Sequence, residues 1–204
     1  MAYADRTRRP PRTLTDNEQR ALLKASGQHA DTFRDHMIFS LALGTALREG
    51  EIVALDLVDV RRPDGKPKRS IQLRHFARKG KHRDNVDARA QVVHLPDGTY
   101  YKLEKFLKGR SPYQGEPLFV ARGGARLSTR RLRELFAEWQ ERAGLERRYT
   151  FHELRHTSIT NAYRATKDIR IAQRVARHAR IDTTTRYEHA SDQEVAAAVK
   201  GLAS

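Results

Sequence analysis

Apolar residues recur at helical spacing along most of this 204-residue chain and alternate only in its middle. Thr15-x-x-Glu18 forms a capping box and predicts a helix through about Ser26. A second helix, from about Asp31 to Thr45, sets Phe33, Met37, Phe39, Leu41 and Leu43 around a buried axis. ALREGEIVALDL predicts a third, beginning near Arg48. Its charged start (Arg48, Glu49, Glu51) follows an apolar helix directly, a costly place for an Arg unless it is paired or functional.

The middle has a different period. RPDGKPK reads as a loop, SIQLRHFA as a strand, ARKGKHRDN as a basic turn and AQVVHL as a second strand. Together they predict a small antiparallel sheet with a lysine-rich hairpin. A helix from about Thr99 to Lys108, a brief PLFVAR strand and a Gly-Gly turn follow. Ser128 then caps a long amphipathic helix bearing Leu132, Leu135, Phe136 and Trp139 and ending at Gly144. From Thr150 to His189 the pattern gives four short helical pieces, and Ser191 opens a last amphipathic helix over about 191–202. The expected fold is mainly α with a small antiparallel β-sheet (α+β). Residues 1–14 form a basic, flexible arm, and 15–204 form one domain with no internal repeats.

Charge narrows the function. Forty Lys and Arg against 25 Asp and Glu give a net charge of +15 and a pI near 10.5, the footprint of a polyanion binder. The chain has no cysteine, which excludes disulfides and Cys-ligated zinc and fits a reducing cytoplasm. No apolar run approaches the roughly 20 residues of a membrane span, and the N-terminus lacks a secretory signal.

The candidate chemistry lies between Thr150 and His189. His152 and Arg155 are three apart and share a helix face; His178 follows on another helix, and Tyr187 lies nine residues further on. An Arg, two imidazoles and a phenol are what covalent attack on a phosphodiester requires. A phenolate can hold the phosphoryl group as a covalent link, despite an ordinary pKa of about 10. Arg48 and Arg155 are candidates for holding the charge that develops on the phosphoryl oxygens, because a guanidinium fork makes bidentate contacts. A lysine of the Lys79-Gly80-Lys81 hairpin can protonate the leaving oxygen. His152 can exchange a proton with the tyrosine or hydrogen-bond a phosphoryl oxygen, and His178 can donate to another such oxygen. No metal or cofactor is needed. Lys81, Arg147, Arg148, Arg170, Arg174, Arg180 and Arg186 are candidates for phosphate-backbone contacts.

These pieces, GTALREGEIVAL, RKGKHR, HELRHTSIT and ARHARIDTTTRYEH, resemble the catalytic domain of the tyrosine recombinases, the phage-integrase-type family, in order from about Leu14 to His189. The resemblance implies a 3′-phosphotyrosyl intermediate at Tyr187, with Arg48 and Arg155 clamping the phosphate. His152 and His178 would assist, Lys79 would be the general acid, and Glu51 the supporting acidic residue. It further implies site-specific recombination or integration of double-stranded DNA by a homotetramer, as in mobile genetic elements, with the C-terminal helix docked on a neighbour. The chain departs from the pattern in three places. Only about 14 residues precede the first helix, so a separate N-terminal DNA-clasping domain is expected to be missing, by excision or by nature. Arg177 stands where the family usually has Gly. Acidic Asp84 and Asp87 fall where its hairpin strand is usually apolar.

Two other readings stay open. One is a non-catalytic DNA-binding module of the same fold. The other takes His152-Glu153-Leu154-Arg155-His156 as an HExxH zinc metalloprotease motif, although Arg155 would then lie only about 60° round the helix from His152.

Overall fold

The computed structural model describes residues 10–29, 32–73, 92–108 and 116–187. Among them α2 (Phe33–Thr45) is the axis: Met37, Ile38, Phe39, Leu41 and Ala42 are buried on successive sides of it. A helix apolar all round needs cover all round. That cover comes from α1 (Asp16–Gly27), α3 (Glu49–Ala54), α5 (Asp97–Leu107) and α7 (Phe151–Thr166). A second layer, α6 (Thr129–Arg142), packs on α1, α3 and α7. The short α8 (Ile169–Ala176) packs on α7, and α9 (Asp182–Thr185) packs on α8.

Local signals set several of these boundaries. The Thr15 side chain accepts from the Glu18 amide at 3.3 Å, while Glu18 Oε2 accepts from the Thr15 amide at 2.8 Å, closing the expected capping box. Ser128 accepts from the Arg131 amide at 3.1 Å and starts α6. Gly144 leaves that helix at φ +66°, in the left-handed region where glycine is unstrained. Of the arm expected over 1–14, residues 1–9 lie outside the described residues; at its end Leu14 is seated, 1% exposed, its amide donating to Thr157 Oγ1 at 2.9 Å.

Elsewhere the structure corrects the sequence. The helix expected from Arg48 is two, α3 and α4 (Leu57–Val60), because Leu55 and Asp56 are extended and Asp59 accepts from the Asp56 amide at 2.8 Å. PLFVAR forms no strand. Its backbone is satisfied piecemeal, by Leu118 N–H to Leu55 O at 2.9 Å and Leu127 N–H to Phe119 O at 3.0 Å, with bridges at Pro117 and Val120. The sheet is antiparallel as expected but short. β1 (Ser70–Gln72) pairs with β2 (Val92–His94), Ile71 facing Val93 in the core. The hairpin with Lys79 and Lys81, and the helix expected over 191–202, lie outside the described residues. Among those residues, no helix is long and apolar enough to cross a membrane.

The core carries polar ties. Trp139 Nε1 donates to Asp35 Oδ2 at 2.9 Å, and Arg34 clamps the same carboxylate at 2.7 Å while donating to Val120 O at 2.8 Å. Asp35→Ala strands the buried indole N–H, and loss of about 2 kcal/mol is expected in urea unfolding. In a Trp139→Phe background, where no indole N–H remains to be stranded, the same substitution should cost less than half as much.

Candidate active site

Four remote stretches meet where α2 ends. Ala46 takes a left-handed conformation (φ 52°), which turns the chain sharply, and Arg48 then caps α3. Glu51, one turn on, accepts from the Arg48 amide at 2.7 Å with Oε2 and from the Arg48 guanidinium at 2.9 Å with Oε1. The charged helix start is therefore a folded ion pair. Burial alone would raise the Glu51 carboxyl, but Arg177, together with the amide and guanidinium of Arg48, outweighs it and holds Glu51 below the usual carboxylate range.

α7 supplies the next groups. Its N-terminus is closed by Glu153, which accepts from the Thr150 amide. Arg155, 3% exposed, donates to Ala46 O and to Ala176 O, joining the end of α2 to the end of α8. Burial, then Arg48 and Arg177, push its guanidinium down to about 9, still cationic at neutral pH. The acidic side chains of Glu153 and Asp168 are spent on helix caps. His152 and His156 stack edge-to-face one turn apart, ring centroids 4.6 Å from each other.

The last stretch delivers the phenol. α8 closes on Arg177, again left-handed, and the His178 amide donates back to Gln173 O at 3.2 Å. His178 Nδ1 lies 2.9 Å from Thr184 Oγ1, a fully buried hydroxyl of α9. That contact fixes the ring; in the tautomer whose Nδ1 accepts from Thr184, Nε2 carries the proton. Tyr187 follows α9, its amide donating to Thr184 O at 2.9 Å. Its ring stacks on His178 at 6.3 Å and packs among Ala46, Ile159, Ala172 and Ala176. Its hydroxyl lies 2.6 Å from His156 Nδ1.

Electrostatics decide which way that bond runs. Burial, followed by His152 and Arg186, pushes His156 to about 3, so the ring is neutral at physiological pH. In the tautomer protonated on Nε2, its Nδ1 accepts from the phenol. Burial raises the Tyr187 phenol, against the pull of Arg186 and Arg155, so the O–H stays protonated until a base or a cation acts on it. His178 is pushed to about 4 by burial and then Arg155 and Arg48, and His152 is lowered by the same causes.

Arg48, Glu51, His152, Arg155, His178 and Tyr187 thus form one neighbourhood. His156, which the sequence offered only as a zinc ligand, is the group that touches the phenol. Its position four residues after His152, on the same helix face, was the available signal. Arg177 was noticed only as a departure, yet its guanidinium reaches Glu51. Among the described residues no group of three His, Cys, Asp or Glu side chains is placed to hold a metal ion, so the HExxH pair finds no third ligand there. The proposed DNA-contacting arginines are scattered. Arg148 pairs with Glu141 and Arg180 with Asp182, while Arg147 and Arg174 are exposed. Half-buried Arg186 alone bears electrostatically on His152, His156, His178 and Tyr187.

The imidazoles make stability pH-dependent. His156, His178 and His36 (buried against Ser26 in the core) are all held below the ordinary 6.5. The unfolded chain takes up protons below about pH 6.5 that the folded chain refuses until about pH 4. Their stabilisation is therefore complete above about pH 6.5 and is lost as pH falls through that window. By about pH 5 each should cost about 1 kcal/mol, after halving for solvent screening. Urea unfolding at the two pH values checks the size, and a His156→Gln, His178→Gln variant should lose the smaller part on acidification.

Residues 12–194 match the phage integrase family. The tyrosine recombinase XerC of Vibrio vulnificus (strain YJ016) is 31% identical over 195 residues, 95% of this chain and 58% of that protein. The structure of XerA recombinase superposes with a TM-score of 0.72 at 25% identity, over 94% of this chain and 65% of that one. The XerH site-specific recombinase bound to difH substrate matches with a TM-score of 0.70 at 23% identity, over 95% and 55% respectively. The chain spans 58% of the length of its curated relative. The matched segment contains the whole neighbourhood from Arg48 to Tyr187, and the chain belongs to the phage integrase family.

Proposed function

We propose that this chain breaks and rejoins double-stranded DNA at specific sites through a phosphotyrosyl link at Tyr187. The observation that carries the reading is the meeting of the Tyr187 hydroxyl, the His156 acceptor and the Arg155 cation, contributed by separate stretches of chain. The phenol oxygen attacks phosphorus and its proton passes to His156 Nδ1. The bond from phosphorus to the 5′-oxygen breaks, and that oxygen takes a proton from Lys79. The phosphotyrosyl bond stores the energy of the broken one, so a 5′-hydroxyl of another strand can attack it and restore both the DNA and the phenol.

Arg48 and Arg155 hold the charge on the phosphoryl oxygens, His178 Nε2 donates to one of them, and His152 polarises His156 from the next turn. The net charge of +15 supplies the attraction to DNA. We place the reaction in a cytoplasmic homotetramer assembled on DNA. The difH substrate bound by the XerH relative supports the choice of polymer.

A second reading, a DNA-binding module without turnover, is favoured by one observation: Tyr187 is only 4% exposed. Nicked duplexes randomised around the nick separate the two readings. A detergent-stable protein–DNA adduct absent in Tyr187→Phe, and formed about 10²–10³-fold more slowly in Arg48→Ala, is expected. Salt-sensitive binding without any adduct would establish the second reading instead.

A further inference from the structure

Arg177 combines two features that do not belong together by chance of packing. Its backbone is left-handed (φ 52°, ψ 44°), a conformation that side chains oppose and glycine accepts freely. Its charged side chain is nonetheless buried, 6% exposed, and folds back from the end of α8 towards the end of α2. There the guanidinium donates to Glu51 Oε2 at 2.5 Å and, at longer range, to Ala46 O at 3.4 Å and Thr45 O at 3.5 Å.

Those partners are the fixtures of the two phosphate-clamping arginines. Glu51 holds both the backbone and the guanidinium of Arg48. Ala46 O is also an acceptor for Arg155. Arg177 therefore grips, from a third direction, the carboxylate that orients Arg48 and the carbonyl that orients Arg155. Its guanidinium is spent on these protein acceptors. Two guanidinium groups, of Arg48 and Arg177, pair with one carboxylate, and that of Arg155 acts on it electrostatically, which leaves the cluster with a positive surplus.

We propose that Arg177 is a positioning residue for strand cleavage: it fixes Glu51 and the Ala46 carbonyl, and through them sets the aim of Arg48 and Arg155. This rests on the reading of the site as a DNA-cleaving one. A glycine at this position would suit the backbone better but would leave Glu51 held on one side only.

The test uses the full chain and a nicked duplex selected from the randomised pool by the unaltered protein. Arg177→Gly is expected to keep or raise thermal stability and to bind the duplex within about twofold of the unaltered protein. Its adduct formation should slow by about 10–100-fold, the usual range for loss of a group that orients a ligand-binding residue. Arg177→Lys, which restores charge but not the fork, should recover part of that loss. The acid limb of the cleavage rate should also move. Glu51 is faced by Arg48, Arg155 and Arg177, and without Arg177 its carboxyl takes up a proton at higher pH, so the limb shifts upward in Arg177→Gly and returns in Arg177→Lys. Unchanged rates with an unmoved limb would overturn the positioning role while leaving the parent reading intact. Unfolding of both Arg177→Gly and Arg177→Asn would make the side chain purely structural and also overturn it. Failure of the unaltered protein to form any adduct would remove the parent reading, and this one with it.

Discussion

Arg155 takes a positive charge where almost no solvent follows, and it stays because the carbonyls that end α2 and α8 point at it. Both are helix C-terminal acceptors left over when the ladder stops, and they carry the negative end of the helix dipole. Removing the guanidinium would strand two buried acceptors; removing either helix end would strand a buried cation. The arrangement is therefore mutual, and it places the ends of α2, α7 and α8 together before any ligand arrives. Arg48 and His178 each sit two residues from one of these joints, and the Tyr187 ring packs against both.

The same joints explain why the neighbourhood carries so much charge without collapsing. The Glu51 carboxylate is held between Arg177 and Arg48, which keep it ionised despite its burial. The histidines respond in the opposite sense. Surrounded by cations and by protein, His156 and His178 are neutral at physiological pH, so they offer lone pairs and N–H groups rather than further positive charge. On the proposed reading, a phosphodiester entering such a site meets fixed cations for its oxygens and an uncharged base for the nucleophile.

Much of this was legible in the chain. Thr15 with Glu18 and Ser128 marked their helix starts because a cap is a short-range device, written in adjacent residues. The proposed catalytic set was legible by residue type and spacing, since His152, Arg155, His178 and Tyr187 fall within one C-terminal stretch. Tertiary pairing was not. PLFVAR looks like a strand, yet its amides find single partners in Leu55 and the segment after Gly124, which no local pattern announces. The break at Leu55 and Asp56 was hidden inside an otherwise good helical period. His156 was misjudged for a related reason: the sequence shows which histidines share a helix face, but not which of them a tyrosine 31 residues away will meet.

The enclosure of Tyr187 bears on how a strongly basic protein can handle DNA without harming it. On the proposed reading, such a surface slides over phosphate after phosphate, and every one of them is a possible target. With its hydroxyl turned inward to His156 and its ring wedged against His178, the reagent is withheld from casual encounters. Scission then becomes conditional on an event that draws the phenol out, so that fidelity is enforced by the storage of the nucleophile as well as by the choice of sequence.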